Sequence, residues 1–480
     1  MSRCRLFLIL LLGSLAGFLL TLNGCSGGRG TTFVDQPPPP PSSSQYIQHV
    51  VVIFQENRTP DNLFQDPVLI SRGADIASSG VNSLKQTITL SPIALANNYD
   101  LSHAHSAFEK MYDGGKMDGA DLISITCAAG NPNCAPANPQ FMYVNQTDVQ
   151  PYFALAEQYT FGDRMFQTNQ GPSFPAHQFI ISGTSAPSTG SNLFVSENPN
   201  YPAGQPSIAG CFANPATTIT VIDPEGNETS QYPCFEHATL TDLLDNKGVT
   251  WRYYTSAGAG SIWTAPNAIQ HMCGPNAPPP NATACTGSEW TSNVVLSTTQ
   301  NPAPILTDIS NGQLQSVSWV IPDGKESDHA LSNDGSGPSW VASIVNAIGN
   351  SQYWSNTAIF ITWDDWGGWY DHVPPPQVLA NCSQWGCGYV YGFRVPLIVV
   401  SPYTRAAYIS HTNHDFGSVL KFIEETYGLP SLGYADAPAH DFSDCFDFTQ
   451  TPLKFQTIAS PLTAEHFLND HRPPTDPDDD

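Results

Sequence analysis

Ile47-Gln48-His49-Val50-Val51-Val52-Ile53-Phe54 is an apolar, β-branched run that ends at the polar residues Gln55-Glu56-Asn57. A continuous apolar run of this length is typical of a strand that is buried on both faces of a parallel sheet. The polar residues follow its carboxyl end, where α/β sheets bind their ligands. The segment therefore predicts a central strand and, at the end of that strand, a functional site.

Strand-like and helix-like patterns alternate along the rest of the chain. Further strands are predicted over residues 316–321, 358–363 and 395–400, and helices over residues 152–159, 239–246, 340–348 and 416–427. This alternation predicts an α/β fold with a largely parallel central sheet flanked by helices. Residues 192–231 and 258–304 show little periodicity, and we expect them to be loop-rich insertions that shape a cleft.

Composition narrows the functional class. The 480 residues include 42 Asp and Glu against 17 Lys and Arg, which gives a formal net charge of −25. A field of this sign repels phosphate backbones, so we expect no nucleic-acid partner. Hydrophobic residues make up 40% of the chain and aromatic residues 11%, which argues against a disordered protein.

The N-terminal segment predicts export from a bacterial cell. Arg3 and Arg5 precede an apolar run over residues 6–22, which is the layout of a signal peptide. The run ends in Leu22-Asn23-Gly24-Cys25, which resembles a lipobox with Cys25 as the lipidated residue. An ordinary signal peptide and a single membrane anchor are the alternatives. Residues 26–45 are rich in Gly, Pro and Ser and predict an extended tether, so we expect a lipoprotein in the periplasm or on the cell surface, or a secreted protein.

The cysteines agree with an oxidising compartment. Eight of the 11 fall into close pairs, which are Cys127/Cys134, Cys211/Cys234, Cys273/Cys285 and Cys382/Cys387. These pairs predict local disulfides that pin the loop-rich insertions, although the spacing leaves their connectivity open. A zinc site is the alternative, but the chain has no CxxC spacing to support it. Cys445 is left over, and we expect a buried thiol.

Acidic residues follow two of the predicted strands. Glu56-Asn57 follows the first strand, and Asp364-Asp365 follows the strand over residues 358–363. Adjacent carboxylates repel each other unless a cation lies between them. Oxygen atoms of Glu, Asn and Asp suit a divalent metal ion. Solvated loop acids are the alternative for either pair alone, but two such pairs at sheet ends favour a metal site.

Ser173 lies in Gln170-Gly171-Pro172-Ser173-Phe174-Pro175-Ala176-His177, where a Gly-Pro turn opens a predicted helix. The alternative role for this residue is a simple capping serine. A helix N-terminus also offers N–H groups to an anion, and a serine activated by a metal is a nucleophile toward phosphorus. We therefore treat Ser173 as a candidate nucleophile.

Together these motifs resemble the bacterial phosphoesterase family, which belongs to the alkaline phosphatase superfamily and contains phospholipases C and acid phosphatases. The resemblance covers about residues 47–430 and rests on Glu56-Asn57-Arg58, Gly171-Pro172-Ser173 and the segment 364–375, in that order. Further matching motifs are Asp100-Leu101-Ser102-His103, Gly115-Lys116-Met117-Asp118-Gly119, Ser327-Asp328-His329, Arg394-Val395-Pro396, Ser401-Pro402-Tyr403 and residues 418–424.

The resemblance implies a divalent metal ion as the cofactor and an alkaline phosphatase-like fold. The implied metal ligands are Glu56, Asn57, Asp364, Asp365 and Ser173. Ser173 would also attack phosphorus and form a phosphoseryl intermediate.

Several histidines receive roles from the same resemblance. His103 and His329 would bind the phosphoryl oxygens, and one of them would protonate the leaving group. His271 is a further catalytic candidate. The pair Asp371-His372 is expected to be structural, and His411 and His414 are expected to cap the helix at residue 416.

The chain is then divided into a signal peptide (1–25), a tether (26–45), a phosphoesterase catalytic domain (46–450) and a C-terminal extension with an acidic tail (451–480). Paired aspartates and a serine nucleophile favour an acid phosphatase-like phosphomonoesterase. The alternative is a phospholipase C that acts on phospholipid head groups, since such enzymes commonly have Asp-Glu at the aspartate pair.

Two other classes of protein stay open at this point. A sulfatase needs an arginine after the nucleophile and proline, which Ser173-Phe174-Pro175-Ala176-His177 lacks. A non-catalytic surface protein that captures sugar or peptide would place Glu56, Asp364 and Ser173 apart, at distances beyond about 10 Å, which exceeds any shared metal–ligand contact.

The lipobox generates a prediction about location. We expect Cys25→Ala to move the protein from the membrane fraction to the soluble fraction, because the residue that would carry the lipid anchor is lost. Immunoblots of the fractions measure this distribution. Retention of the variant in the membrane would show that the apolar segment is an uncleaved anchor.

Overall fold

The computed structural model describes residues 42–131, 133–378 and 390–475. Its strands are β1 (His49–Gln55), β2 (Ser79–Val81), β3 (Thr87–Thr89), β4 (Ser91–Ile93), β5 (Tyr99–Leu101), β6 (Ile125–Cys127), β7 (Met142–Val144), β8 (Thr160–Phe166), β9 (Phe194–Val195), β10 (Ile219–Ile222), β11 (Glu228–Gln231), β12 (Trp251–Thr255), β13 (Val294–Leu296), β14 (Val317–Ile321), β15 (Thr357–Trp363), β16 (Arg394–Val400), β17 (Tyr408–Ser410) and β18 (His414–Asp415). Its α-helices are α1 (Ser43–Tyr46), α2 (Pro60–Leu63), α3 (Pro67–Ser71), α4 (His105–Tyr112), α5 (Gln150–Gln158), α6 (Ser173–Ser182), α7 (Leu240–Lys247), α8 (Gln270–Cys273), α9 (Ser288–Asn293), α10 (Pro304–Ser310), α11 (Gly337–Gly349), α12 (Phe416–Tyr427) and α13 (Ala464–Leu468).

The main sheet has the strand order β13-β12-β14-β1-β15-β16-β8-β17, and β18 also pairs with β8. Every neighbouring pair is parallel except those of β16, which runs antiparallel to both β15 and β8. The expected α/β fold with a largely parallel sheet is therefore confirmed. The four predicted strands and the four predicted helices are confirmed as β1, β14, β15, β16, α5, α7, α11 and α12.

Helices pack on both faces of this sheet. On one face, the ring of Phe54 packs against His177 of α6 and Phe416 of α12 at centroid distances of 4.9 and 5.1 Å. On the other face, Trp363 packs against Tyr152 of α5 at 5.1 Å. Because β1 and β15 are covered on both sides, their residues are buried almost throughout, as the continuous apolar runs predict.

The main-sheet strand β8 escapes prediction because its sequence interrupts the apolar pattern. β8 contains Gly162, Asp163 and Arg164 in its middle, and a Cβ atom at Gly162 would lie 2.8 Å from a methyl carbon of Leu397. The glycine therefore lets β8 and β16 pack closely. The expectation that residues 192–231 are irregular is wrong in part, since β9, β10 and β11 form a small antiparallel sheet there.

Three of the predicted disulfides are confirmed, namely Cys127–Cys134, Cys211–Cys234 and Cys273–Cys285. The fourth pair, Cys382/Cys387, lies outside the described residues, as do the predicted signal peptide and most of the predicted tether. Cys445 is a free, buried thiol, as expected, and burial raises its pKa.

Residues 43–45, which the sequence analysis assigns to the tether, belong to α1. Within the described part of the chain, no helix has the length and apolar character needed to cross a membrane.

A buried ion network ties the loops together beside the sheet. The guanidinium of Arg394, which has no exposed surface, donates hydrogen bonds to both carboxylate oxygens of Asp371 at 2.8 and 3.0 Å and to Asp61 at 3.2 Å. His372 pairs with Asp61 at 2.7 Å and with Asp75 at 3.0 Å. The structural role expected of Asp371-His372 agrees with these contacts.

The pKa of His372 reflects this network. Burial lowers the pKa, but the hydrogen bond and the charge of Asp61 raise it by more, to about 9. A histidine whose folded pKa is raised contributes stability that is complete below its unfolded pKa of about 6.5. That contribution is lost as the pH rises through about 9.

The capping role expected of His411 and His414 is wrong. His411 pairs with Asp163 at 2.8 Å, and His414 belongs to β18. The N-cap of α12 is Asp415, whose side chain accepts a hydrogen bond from the backbone N–H of Ser418 at 3.1 Å. A carboxylate serves this position because it compensates the unpaired N–H groups of the first helical turn.

Candidate active site

The acidic residues predicted at two strand ends meet because β1 and β15 are neighbouring parallel strands. Gln55 and Trp363 are directly paired, so Glu56 and Asp364 leave the sheet side by side. The backbone N–H of Asn57 donates to a carboxylate oxygen of Asp364 at 3.0 Å. Glu56, Asp364 and Asp365 are all fully buried.

The loops that follow β1 and β15 pack backbone against backbone, at Asn57 and Gly367. Asn57 has a positive φ of 63°, and Gly367 has a φ of 62°. A Cβ atom at Gly367 would lie 2.4 Å from the carbonyl oxygen of Asn57, so only glycine fits. The N–H of Gly367 donates to Asp365 at 2.7 Å, which fixes the direction of that carboxylate.

Ser173 is the first residue of α6, and its hydroxyl points at the acidic residues. Its Oγ lies 3.4 Å from a carboxylate oxygen of Glu56 and 3.3 Å from one of Asp365. The N-cap position belongs to Pro172, and no side-chain capping bond is formed there. The alternative of a simple capping serine is therefore wrong. Gly171 permits this turn, since a Cβ atom there would lie 2.2 Å from the carbonyl oxygen of Ser196.

Sequence reasoning missed His177. It lies one helical turn after Ser173, and its Nε2 is 3.0 Å from a carboxylate oxygen of Glu56. Ligand atoms of Glu56, His177 and Asp364 all lie within 4.8 Å of one another. The spacing of four residues between Ser173 and His177 places both on one helix face, and this spacing was the available signal.

The donor set fits a divalent metal ion. Asn57 Oδ1 and Asp364 Oδ2 are buried and have no hydrogen-bond partner within the described residues. Buried oxygen acceptors are normally paired, and buried carboxylates at short range repel one another. A divalent cation bound by Glu56, Asn57, Asp364 and Asp365 would satisfy these atoms, with His177 as a further donor.

His103 and His329 lie together at the same edge of the sheet. Their ring centroids are 5.7 Å apart. His103 Nδ1 lies 2.9 Å from the carbonyl oxygen of Leu101, and its Nε2 lies 3.1 Å from the side-chain nitrogen of Asn57. His329 Nδ1 lies 2.7 Å from the carbonyl oxygen of Ala330. Both rings are thus oriented by backbone carbonyls beside a proposed metal ligand.

Arg58 holds the loop that carries His329. Its guanidinium is fully buried and donates two hydrogen bonds, of 2.9 and 2.7 Å, to the carbonyl oxygen of Asp328. The same group stacks on Trp369 at 4.9 Å. Burial lowers the pKa of Arg58 to about 10, so the side chain remains a cation at neutral pH.

His271 is not brought to this group of residues, and its assignment as a catalytic histidine is corrected. Its Nδ1 lies 2.9 Å from Glu236, and its Nε2 lies 3.4 Å from Asp242. These two carboxylates attract the imidazole into a separate, partly exposed cluster. A histidine in a short helix gives no sequence signal of such partners, which lie about 30 residues away.

A cleft of about 860 Å³ opens beside the nucleophile. Pro172 and Ser102, the neighbours of Ser173 and His103, form part of its lining. Most of the remaining wall comes from residues 197–204, so the expectation that segment 192–231 shapes a cleft is confirmed. Glu197 is its charged lining residue, and burial raises the pKa of that carboxyl group.

Comparisons with known proteins agree with this site. A family model described as the Phosphoesterase family matches residues 47–430. Phospholipase C B of Mycobacterium tuberculosis is 24% identical over 450 residues, which cover 85% of this chain and 78% of that protein. Hemolytic phospholipase C of Pseudomonas aeruginosa is 23% identical over 86% of this chain, but this chain covers only 57% of that protein.

Among solved structures, a protein in the alkaline phosphatase superfamily from Vibrio parahaemolyticus matches with a TM-score of 0.35 and 9% identity. The match covers 84% of this chain and 75% of that chain.

The geometry predicts that Asp364→Asn lowers the metal content by one equivalent and abolishes hydrolysis, because the variant removes a charged ligand and leaves the other acids uncompensated. Metal analysis of the purified variant measures the content. Glu225→Gln, in an exposed loop, is the matched control and should keep both properties. Full metal content in Asp364→Asn would place the ion elsewhere.

Proposed function

The chain belongs to the Phosphoesterase family and is a phosphoric ester hydrolase, and we propose that it acts through Ser173, with phosphomonoesters as preferred substrates. The observation that carries this proposal is the position of Ser173 Oγ, 3.4 Å from Glu56 and 3.3 Å from Asp365. A buried serine that touches two carboxylates at a helix N-terminus has no structural need for those contacts. It is suited to a role as a nucleophile.

Each residue of the site has a separate role in the proposed reaction. Glu56 and Asp365 lie within hydrogen-bond distance of the Ser173 hydroxyl and orient its oxygen, and one of these carboxylates takes up the hydroxyl proton when the oxygen attacks. Attack of that oxygen on phosphorus forms a phosphoserine and expels the alcohol, and water then hydrolyses the phosphoserine. A divalent metal bound by Glu56, Asn57, Asp364 and Asp365 would lower the pKa of the serine hydroxyl and neutralise charge on the phosphoryl group.

Either His103 or His329, as an imidazolium, supplies the proton that the leaving alcohol needs. The Nδ1–H of each ring donates to a backbone carbonyl, so the Nε2–H of the protonated ring is left to face the site. His177 has a different role, because it contacts Glu56 and lies among the acidic residues, where it would be a further metal donor. General acid catalysis of this kind contributes about 10²–10⁴-fold to a rate.

The monoester preference is inferred from the acidic pair and the cleft. Asp364-Asp365 stands where phospholipases C commonly have Asp-Glu, and the nucleophile is a serine. The cleft is lined largely by small polar residues and prolines, which suits a hydrophilic leaving group. Phospholipase C activity is the second candidate, and the names of the relatives together with the volume of the cleft favour it.

The two other classes fit the geometry poorly. A non-catalytic binding protein would keep Ser173 and the acidic residues well apart, whereas they are in contact. A sulfatase would need an arginine near the position of His177, and that histidine instead pairs with Glu56.

We also propose that the enzyme works outside the cytoplasm, tethered through Cys25. Three disulfides support this location, because disulfides are typical of oxidising compartments and rare in the cytosol.

The substrate class can be decided directly. We expect kcat/KM for a chromogenic phosphomonoester to exceed that for a phosphocholine diester by about 10-fold or more, equivalent to about 1.4 kcal/mol in the barrier. Both substrates should be assayed with a panel of divalent metals. A preference for the diester would establish the phospholipase C alternative.

The nucleophile is tested by Ser173→Ala. We expect kcat to fall by about 10³-fold or more, equivalent to about 4 kcal/mol in the barrier, with the fold retained. Ser182→Ala is the control, since Ser182 lies in the same buried helix and donates to backbone carbonyls. Acid quench of the wild-type protein with substrate should trap phosphate on Ser173. Near-normal turnover of Ser173→Ala would show that water attacks phosphorus directly.

A further inference from the structure

A second group of metal-ligating side chains lies away from the active site, at the edge of the sheet that β17 and β18 form. It consists of His414, Asp444 and Cys445, whose ligand atoms all lie within 4.8 Å of one another. We propose that these three residues bind a zinc-class divalent cation, which fastens the C-terminal segment around residues 442–448 to the sheet.

The separations within the group match the edges of a zinc coordination tetrahedron. His414 Nε2 lies 3.5 Å from Asp444 Oδ1, and Cys445 Sγ lies 3.6 Å from the same oxygen. Zinc binds nitrogen and oxygen at about 2.0–2.1 Å and sulfur at about 2.3 Å, so tetrahedral geometry places the ligand atoms about 3.3–3.6 Å apart. Two of the three separations therefore match coordinating positions, and the third, between His414 and Cys445, is within 4.8 Å.

The imidazole of His414 lacks the hydrogen bonds that a buried ring requires. The residue is only 2% exposed, and its Nδ1 has no hydrogen-bond partner within the described residues. Its Nε2 reaches Ser410 Oγ only at 3.5 Å. Its other Nε2 contact, with Asp444 Oδ1, is also 3.5 Å long. Both Nε2 contacts are longer than ordinary hydrogen bonds, so a metal bond at Nε2 would replace them.

The surrounding residues hold the group rigidly. Phe442 stacks on the His414 ring at 4.3 Å. Ser410 and Thr412 donate hydroxyl hydrogen bonds to Asp444 Oδ2, which leaves Oδ1 facing His414 and Cys445. Cys445 is completely buried, while the side chain of Asp444 is 24% exposed, so solvent reaches the site and supplies a fourth ligand.

The position of the group explains what the ion does. His414 lies in β18, two residues before the start of α12. The carbonyl of Cys445 accepts a hydrogen bond from the N–H of Arg405 at 2.9 Å. The ion would join two segments about 30 residues apart in the sequence. The two groups of ligands share no residue, and only this one contains a sulfur atom, so the two proposed ions can be tested separately.

Cobalt(II) is the probe that separates the two sites. Full-length protein, stripped with a chelator and reloaded with Co²⁺, should show sulfur-to-cobalt charge-transfer absorption. We expect Cys445→Ser to lose this absorption and one equivalent of bound metal. Asp364→Asn should keep the absorption, since it changes only the catalytic site. Ser443→Ala, at an exposed neighbouring position, is the matched control and should resemble the wild type.

A second variant keeps the test valid if Cys445→Ser does not fold. His414→Gln should lower the charge-transfer absorption and metal content in the same way. The wild-type protein also gives an answer by itself, because bound metal should slow the alkylation of Cys445. Absence of charge transfer in fully loaded wild-type protein, or alkylation at the same rate with and without metal, would overturn the proposal.

Discussion

Repulsion among three buried carboxylates at one edge of the sheet is the constraint on which the rest of the structure depends. Glu56, Asp364 and Asp365 carry no exposed surface, so water does not screen them. The protein compensates with directed donors, since Asp364 accepts from the N–H of Asn57, Asp365 from the N–H of Gly367, and Glu56 faces His177. A metal ion bound by these residues would supply the remaining positive charge, so the fold and the proposed chemistry depend on the same carboxylates.

A second set of charges keeps that edge in place. Arg394 begins the antiparallel strand β16 and binds Asp61 and Asp371, which belong to the segments that follow β1 and β15. Arg58 holds the His329 loop in the same manner. Removing one partner from such buried ion pairs typically costs about 3–5 kcal/mol, because the other charge is left uncompensated. The rigid site therefore depends on cations that never touch substrate.

Features that depend on local sequence could be predicted, and features that depend on contacts between distant residues could not. β1 and β15 were visible in the sequence because burial on both faces requires apolar residues throughout. β8 was not, because its Asp163 is paired with His411, far along the chain. Local context and the family resemblance were sufficient to predict the acidic residues and Ser173. The spacing of four residues between Ser173 and His177 is also a local signal, and it indicates His177. His271 was misassigned because its partners, Glu236 and Asp242, are known only from the tertiary structure.

Proximity of ligand-type side chains is not sufficient for a metal site, and charge compensation makes the difference. Asp61, Asp371 and His372 also lie at metal-binding distances, but the Arg394 guanidinium already neutralises both carboxylates. Asp364 instead keeps an oxygen without a donor among the described residues, and the Nε2 of His414 has only long contacts of 3.5 Å. Poorly satisfied ligand atoms are costly unless an ion binds them, so we propose a cation at these two clusters and not at the Arg394 network.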